Sequence, residues 1–113
     1  MNLDDYSKQA ITTLTNDHEY GDISADLMAQ VLGLSDESGE VLGKFKKLIR
    51  DKNGVMNDDD KKEIIKEIGD VLWYVNSVSH LMGYSLEEVA QMNIDKLASR
   101  KQRNQIKGSG DNR

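Results

Sequence analysis

Glu37-Ser38-Gly39-Glu40-Val41-Leu42 and Glu67-Ile68-Gly69-Asp70-Val71-Leu72 share one pattern, Glu-x-Gly-acid-Val-Leu, thirty residues apart. Each hexad lies in the middle of a stretch whose apolar residues recur at helical spacing. Leu27, Val31, Leu34, Val41, Leu42, Phe45, Leu48 and Ile49 surround the first. Ile64, Ile65, Ile68, Val71, Leu72, Val75, Val78 and Met82 surround the second. The spacing predicts a helix from a Ser24 cap to about Arg50, stopped by Asp51-Lys52-Asn53-Gly54 with Gly54 left-handed. A second helix starts at Asp58-Asp59-Asp60, where carboxylates suit the positive end of the helix dipole, and runs to about Met82 before Gly83.

Working outward, Ser85-Leu86-Glu87-Glu88 reads as a capping box opening a last helix, which carries Leu86, Val89, Ala90, Ile94 and Leu97 and fades after about Arg103. Leu3, Ala10, Ile11 and Leu14 give residues 3–15 a thin apolar stripe and predict a first helix. The polar residues 16–22 form a loop, and no alternating strand pattern of useful length occurs. The expectation is an all-α domain of three or four main helices.

Composition agrees. The chain has 113 residues, no Pro, no Cys and 5% aromatic residues, which disfavours a many-turned sandwich or barrel and fits one compact domain. Without Cys there is no disulfide, thiolate zinc site or cysteine nucleophile. No apolar run approaches the ~20 residues of a membrane span, and the first residues lack signal-peptide character, so a cytoplasmic location and no membrane partner are expected. The net charge of −5 is unevenly spread: residues 1–95 balance at −10 and residues 96–113 at +5. An acidic body argues against a nucleic acid polymer as partner, because phosphate neutralisation needs clustered Lys and Arg.

Acids three apart share a helix face, and each pair of the hexads falls on the shoulder of its helix, roughly 100° from the centre of the apolar stripe. Packed as antiparallel neighbours, the two helices would face four carboxylates towards one another, with Gly39 and Gly69 leaving room for a close backbone or a bulky ligand. Four such groups cannot stay ionised and unpaired near a core. Oxygen-only ligands select a hard cation, Mg²⁺ first and Mn²⁺ as a workable substitute. The bland alternative is a set of surface acids paired with lysines. A di-iron carboxylate site needs Glu-x-x-His, and the only histidines, His18 and His80, follow Thr15 and Ser77 at that spacing.

Leu34-Ser35-Asp36-Glu37-Ser38-Gly39-Glu40-Val41, then Lys66-Glu67-Ile68-Gly69-Asp70-Val71-Leu72-Trp73-Tyr74, then Asn93-x-x-Lys96-Leu97-x-x-Arg100 follow one another in an order and spacing that resembles the MazG-like nucleotide pyrophosphohydrolases, all-α nucleoside triphosphate pyrophosphatases. Tyr6 to Thr12 is similar to their usual opening and Lys107 to Arg113 to a tail of some bacterial and phage members; Ser38 replaces a frequent Ala. The resemblance implies a four-helix-bundle-like, oligomeric domain over residues 1–105 with a tail over 106–113. It implies Mg²⁺-dependent hydrolysis of a nucleoside triphosphate to monophosphate and pyrophosphate, in nucleotide-pool house-cleaning. By position, Glu37, Glu40, Glu67 and Asp70 would ligate metal, and Asn93, Lys96 and Arg100 would bind phosphate or sugar. Family members form dimers or tetramers, often with sites between chains.

On this reading Glu40 is the expected acceptor of the attacking water's proton. Lys44, on the stripe of Glu37 and Glu40, would neutralise the ligands or touch phosphate, with Lys47 as a second candidate. Tyr74, on the acidic shoulder, would border the nucleotide. Trp73 lies roughly opposite the apolar stripe of its helix and is expected at a subunit interface, where aromatics are enriched, with a stacking surface for the base as the alternative. The rivals are a phosphoribosyl-ATP pyrophosphohydrolase and a non-catalytic helical module that binds a nucleotide or a partner.

Overall fold

The computed structural model of the chain describes residues 1–104 and 106–112; Gln105, which closes the expected domain, and Arg113, part of the expected basic end, lie outside the described residues. Four α-helices follow one another, α1 (Leu3–Ala10), α2 (Ala25–Lys52), α3 (Asp58–Leu81) and α4 (Leu86–Gln102), with no strand among the described residues.

Their ends are set by side chains that satisfy otherwise orphaned backbone groups. Ser24 Oγ accepts from the Leu27 amide at 3.0 Å and opens α2. The left-handed stop begins one residue earlier than expected, with Asn53 at φ 53° and Gly54 at φ 76°, and the Gly54 amide donates back to the Leu48 carbonyl at 3.0 Å. Asn57 caps α3 in a full reciprocal box: the Asp60 amide donates to Asn57 Oδ1 at 2.8 Å and the Asn57 amide to Asp60 Oδ2 at 3.1 Å. At Ser85, where the sequence predicts that box, the hydroxyl accepts from the Glu88 amide at 3.1 Å as a simple cap. The first helix is shorter than the expected 3–15. It tightens into a 3₁₀ turn at Ile11–Thr13, where the hydroxyls of Thr12 and Thr13 donate to the Gln9 and Ala10 carbonyls and compete with helix continuation.

The centre of the molecule is the α2–α3 hairpin. Its cross-helix pairs run Lys52 with Asp60, Lys44 with Glu67 and Gln30 with Ser77, one member falling as the other rises, which is the register of antiparallel helices. Leu48 and Ile64, the buried apolar side chains among the described residues, pack near the loop end. At the far end Gly33 permits a close approach: a Cβ there would collide with the Tyr74 ring. Gly39 and Gly69, expected to serve that purpose, face open space within this chain. Helix α4 turns back on the end of α3 and encloses a groove of about 600 Å³ with walls of Val78, Met82, Tyr84, Val89 and Met92. Helix α1 packs against none of the other α-helices, so the four helices of one chain form an open arrangement rather than a closed bundle.

Candidate functional site

The hairpin register sets Glu37 level with Asp70 and Glu40 level with Glu67. Carboxylate oxygens of Glu37, Glu67 and Asp70 all lie within 4.8 Å of one another. Glu37 and Glu67 are half-buried and Asp70 is exposed. Glu40 is exposed and its oxygens stand outside this group of three. It is still near enough to act on Glu37, whose carboxyl is raised above its ordinary value. Removal from water is the main cause of that shift, followed by repulsion from Asp70, Glu67, Asp36 and Glu40.

Among the described residues, one ion pair reaches this group. Lys44 Nζ lies 3.9 Å from Glu67, as expected of a residue on the stripe of Glu37 and Glu40. Lys47 lines a hollow towards the loop end together with Lys44, Leu48, Asp51, Asp60 and Ile64. The three carboxylates fit a hard dication by donor chemistry: oxygens only, from two rigid helices, at spacings that small side-chain rotations convert to a shared ion. The repulsion that Asp70, Glu67, Asp36 and Glu40 exert on Glu37 is what such an ion would relieve.

Glu37 and Asp70 share a cleft of about 380 Å³ with Trp73 and Tyr74. Tyr74 stands beside the acids, where the sequence places it. Trp73 is also part of this wall, packed edge-on against Tyr74 with ring centroids 4.9 Å apart at 82°, and is 60% exposed. The helical wheel sets Trp73 opposite the apolar stripe, and the structure puts it beside Tyr74 and the acids.

The three residues of the last motif do not join the carboxylates in one cluster. Asn93 and Lys96 line the α3–α4 groove. Arg100 is buried, 4% exposed, and with Lys96 engages Asp111 of the C-terminal segment. Asp111 was not singled out in the sequence, since a contact eleven residues beyond Arg100 carries no periodic signature.

Comparison with known proteins identifies a family. The family model for the MazG nucleotide pyrophosphohydrolase domain matches residues 25–104, which span α2, α3 and α4. The Gene 37 protein of Mycobacterium phage L5 is 45% identical over 82 residues, covering 73% of this chain and 72% of that protein. No solved structure matches. Two acid-bearing central helices, a third helix with the Asn-x-x-Lys-x-x-x-Arg series and a match over most of the chain make it a member of the MazG nucleotide pyrophosphohydrolase domain family.

Proposed function

We propose that the chain is a Mg²⁺-dependent nucleoside triphosphate pyrophosphohydrolase that converts a (deoxy)nucleoside triphosphate and water to the monophosphate and pyrophosphate. The convergence of Glu37, Glu67 and Asp70 from two helices carries the reading. Glu40, one turn from Glu37 and level with Glu67, completes the set by a side-chain rotation. Mn²⁺ is a workable substitute for Mg²⁺. When bound, the dication supplies Lewis-acid activation of water and neutralises polyphosphate charge. The chain's own residues do the rest. The four carboxylates fix position, and Glu40 takes the proton of the water that attacks the α-phosphorus. The bond to the bridging oxygen breaks, and Lys96 and Arg100 hold charge on the departing pyrophosphate. Lys44 limits repulsion among the acids, Asn93 orients sugar or phosphate, and Tyr74 borders the nucleotide.

The site is completed by a second copy of the chain, as homodimer or homotetramer. The accessible surface is 9578 Å², whereas a folded monomer of this mass exposes about 6,200 Å². The radius of gyration is 20.0 Å, against about 13 Å for a compact chain of this length. Leu42, Ile49, Ile65, Leu72 and Trp73 are all more than half exposed and supply the apolar area that a partner would cover.

A panel of canonical and modified ribo- and deoxyribonucleoside triphosphates, with phosphoribosyl-ATP, assayed for pyrophosphate with and without Mg²⁺ tests the activity. Mg²⁺-dependent pyrophosphate release from a subset of the panel is the expected result. Release of orthophosphate, or of nothing, overturns the assignment. Light scattering that gives the monomer mass overturns the assembly.

A further inference from the structure

Gly110 and Asp111 lie back against α4. Asp111 Oδ1 lies 3.2 Å from Lys96 Nζ and 3.4 Å from Arg100 Nη2. The same Nη2 donates to the Asp111 backbone carbonyl at 2.6 Å and to the Gly110 carbonyl at 3.4 Å. Gly108 at φ 127° and Gly110 at φ 83° occupy backbone regions closed to most side chains, and Asn104 is left-handed at φ 58°. Arg100 is 4% exposed, and its Nε is buried with no partner among the described residues. A buried guanidinium with an idle donor, beside a lysine four positions back on the same helix face, is a preformed anion site. The carboxylate it holds is 82% exposed.

We propose that Asp111 is a tethered competitor for substrate: it occupies the Lys96–Arg100 cation pair and must leave before a nucleotide phosphate can bind there. This rests on the reading that Lys96 and Arg100 receive phosphate. A carboxylate and a phosphate cannot share the pair, because two anions at that separation repel. An exposed carboxylate is held weakly, whereas a polyphosphate brings more charge and more acceptor oxygens, so the exchange is open to substrate. The tail lowers apparent affinity by the fraction of time it spends docked.

In the full-length chain, Asp111→Asn is expected to lower KM for the nucleoside triphosphate about three- to tenfold and leave kcat within about twofold. Deletion of residues 108–113 should do the same. Calorimetry with pyrophosphate should show tighter binding to Asp111→Asn by a similar factor, a readout that needs no turnover. An unchanged or higher KM in both variants, or pyrophosphate bound no more tightly, overturns the proposal. A fall in kcat without a gain in KM also overturns it and makes Asp111 a positioning residue. Lys96→Met separates the two layers. When it is made in the Asp111→Asn background, where no tail carboxylate competes, an unchanged KM removes the phosphate assignment itself. A raised KM there, with Asp111→Asn indistinguishable from wild type, removes the competitor alone.

Discussion

The loop end and the middle of the α2–α3 hairpin treat their acids in opposite ways. At the loop end Asp60 is held below its ordinary value by the Asn57 amide and by Lys52, Asp51 by Arg50, and Glu63 by Lys66. Every one of these carboxylates has a donor at 2.8–3.1 Å. Farther along the same two helices Glu37 is raised, and its surroundings are Asp70, Glu67, Asp36 and Glu40. Both regions are similarly rich in acid, but the loop end also carries Lys47, Arg50, Lys52, Lys61, Lys62 and Lys66, whereas residues 34–44 and 67–74 carry Lys44 alone. What separates them is whether a donor was placed within reach. At the loop end the chain hydrogen-bonds each of these carboxylates itself, whereas Glu37 is raised by neighbouring acids and, among the described residues, the ion pair at its cluster is Lys44 with Glu67 at 3.9 Å.

The contrast can be broken most sharply at Asp70. Asp70→Asn is expected to reduce pyrophosphate release by about a thousandfold or more, with the helical circular dichroism unchanged. Near-normal turnover would place the acids with the paired, structural class. Gly33→Ala probes how tightly the helices approach beside the site. The new methyl meets the Tyr74 ring, and the cost is expected to be about 1–3 kcal/mol of stability, read as a lower denaturant midpoint. Asn57→Ala removes the cap at the paired end and should cost about 1 kcal/mol in the same measurement.

Two smaller effects test the sign of the comparison. Asp60 binds its proton less readily when folded, so its stabilising contribution is complete above the ordinary carboxylate range and is lost as pH falls through its lowered folded value. Melting curves of wild type and Asp60→Asn should therefore differ at neutral pH and converge in strong acid. At Glu37 the charged form is disfavoured by the fold, so Glu37→Gln in metal-free buffer should melt slightly higher than wild type. Adding Mg²⁺ should reverse the order, because only the wild type retains the full ligand set. A lower Tm for Glu37→Gln without metal would mean that Glu37 has a stabilising partner.

The hairpin was legible because its signals are local. Period 3.6 marks the helices, Ser24 and Asp58-Asp59-Asp60 mark the starts, and two matching hexads on adjacent antiparallel helices place Glu37, Glu67 and Asp70 together. What the sequence hid depends on side-chain direction and distance. A helical wheel gives Glu40 and Glu37 similar angles, but not which rotamer turns inward, and Glu40 lies outside the cluster. It marks Gly39 and Gly69 as gaps, while the close approach falls at Gly33, where the opposing residue happens to be Tyr74. It gives no account of α1, whose apolar stripe is real but meets no other helix of its own chain. The Asp111 contact with Lys96 and Arg100 follows a segment with positive φ at Asn104, Gly108 and Gly110, dihedral angles that no periodicity encodes.

The edge-on contact between Trp73 and Tyr74 has a practical consequence. Trp73 is the chain's single tryptophan and forms one wall of the cleft that holds Glu37 and Asp70. Its indole emission therefore comes from one place, and that place is where cation and nucleotide would arrive. Quenching or a spectral shift on titration would report occupancy directly, without a label, on the unmodified protein and in real time.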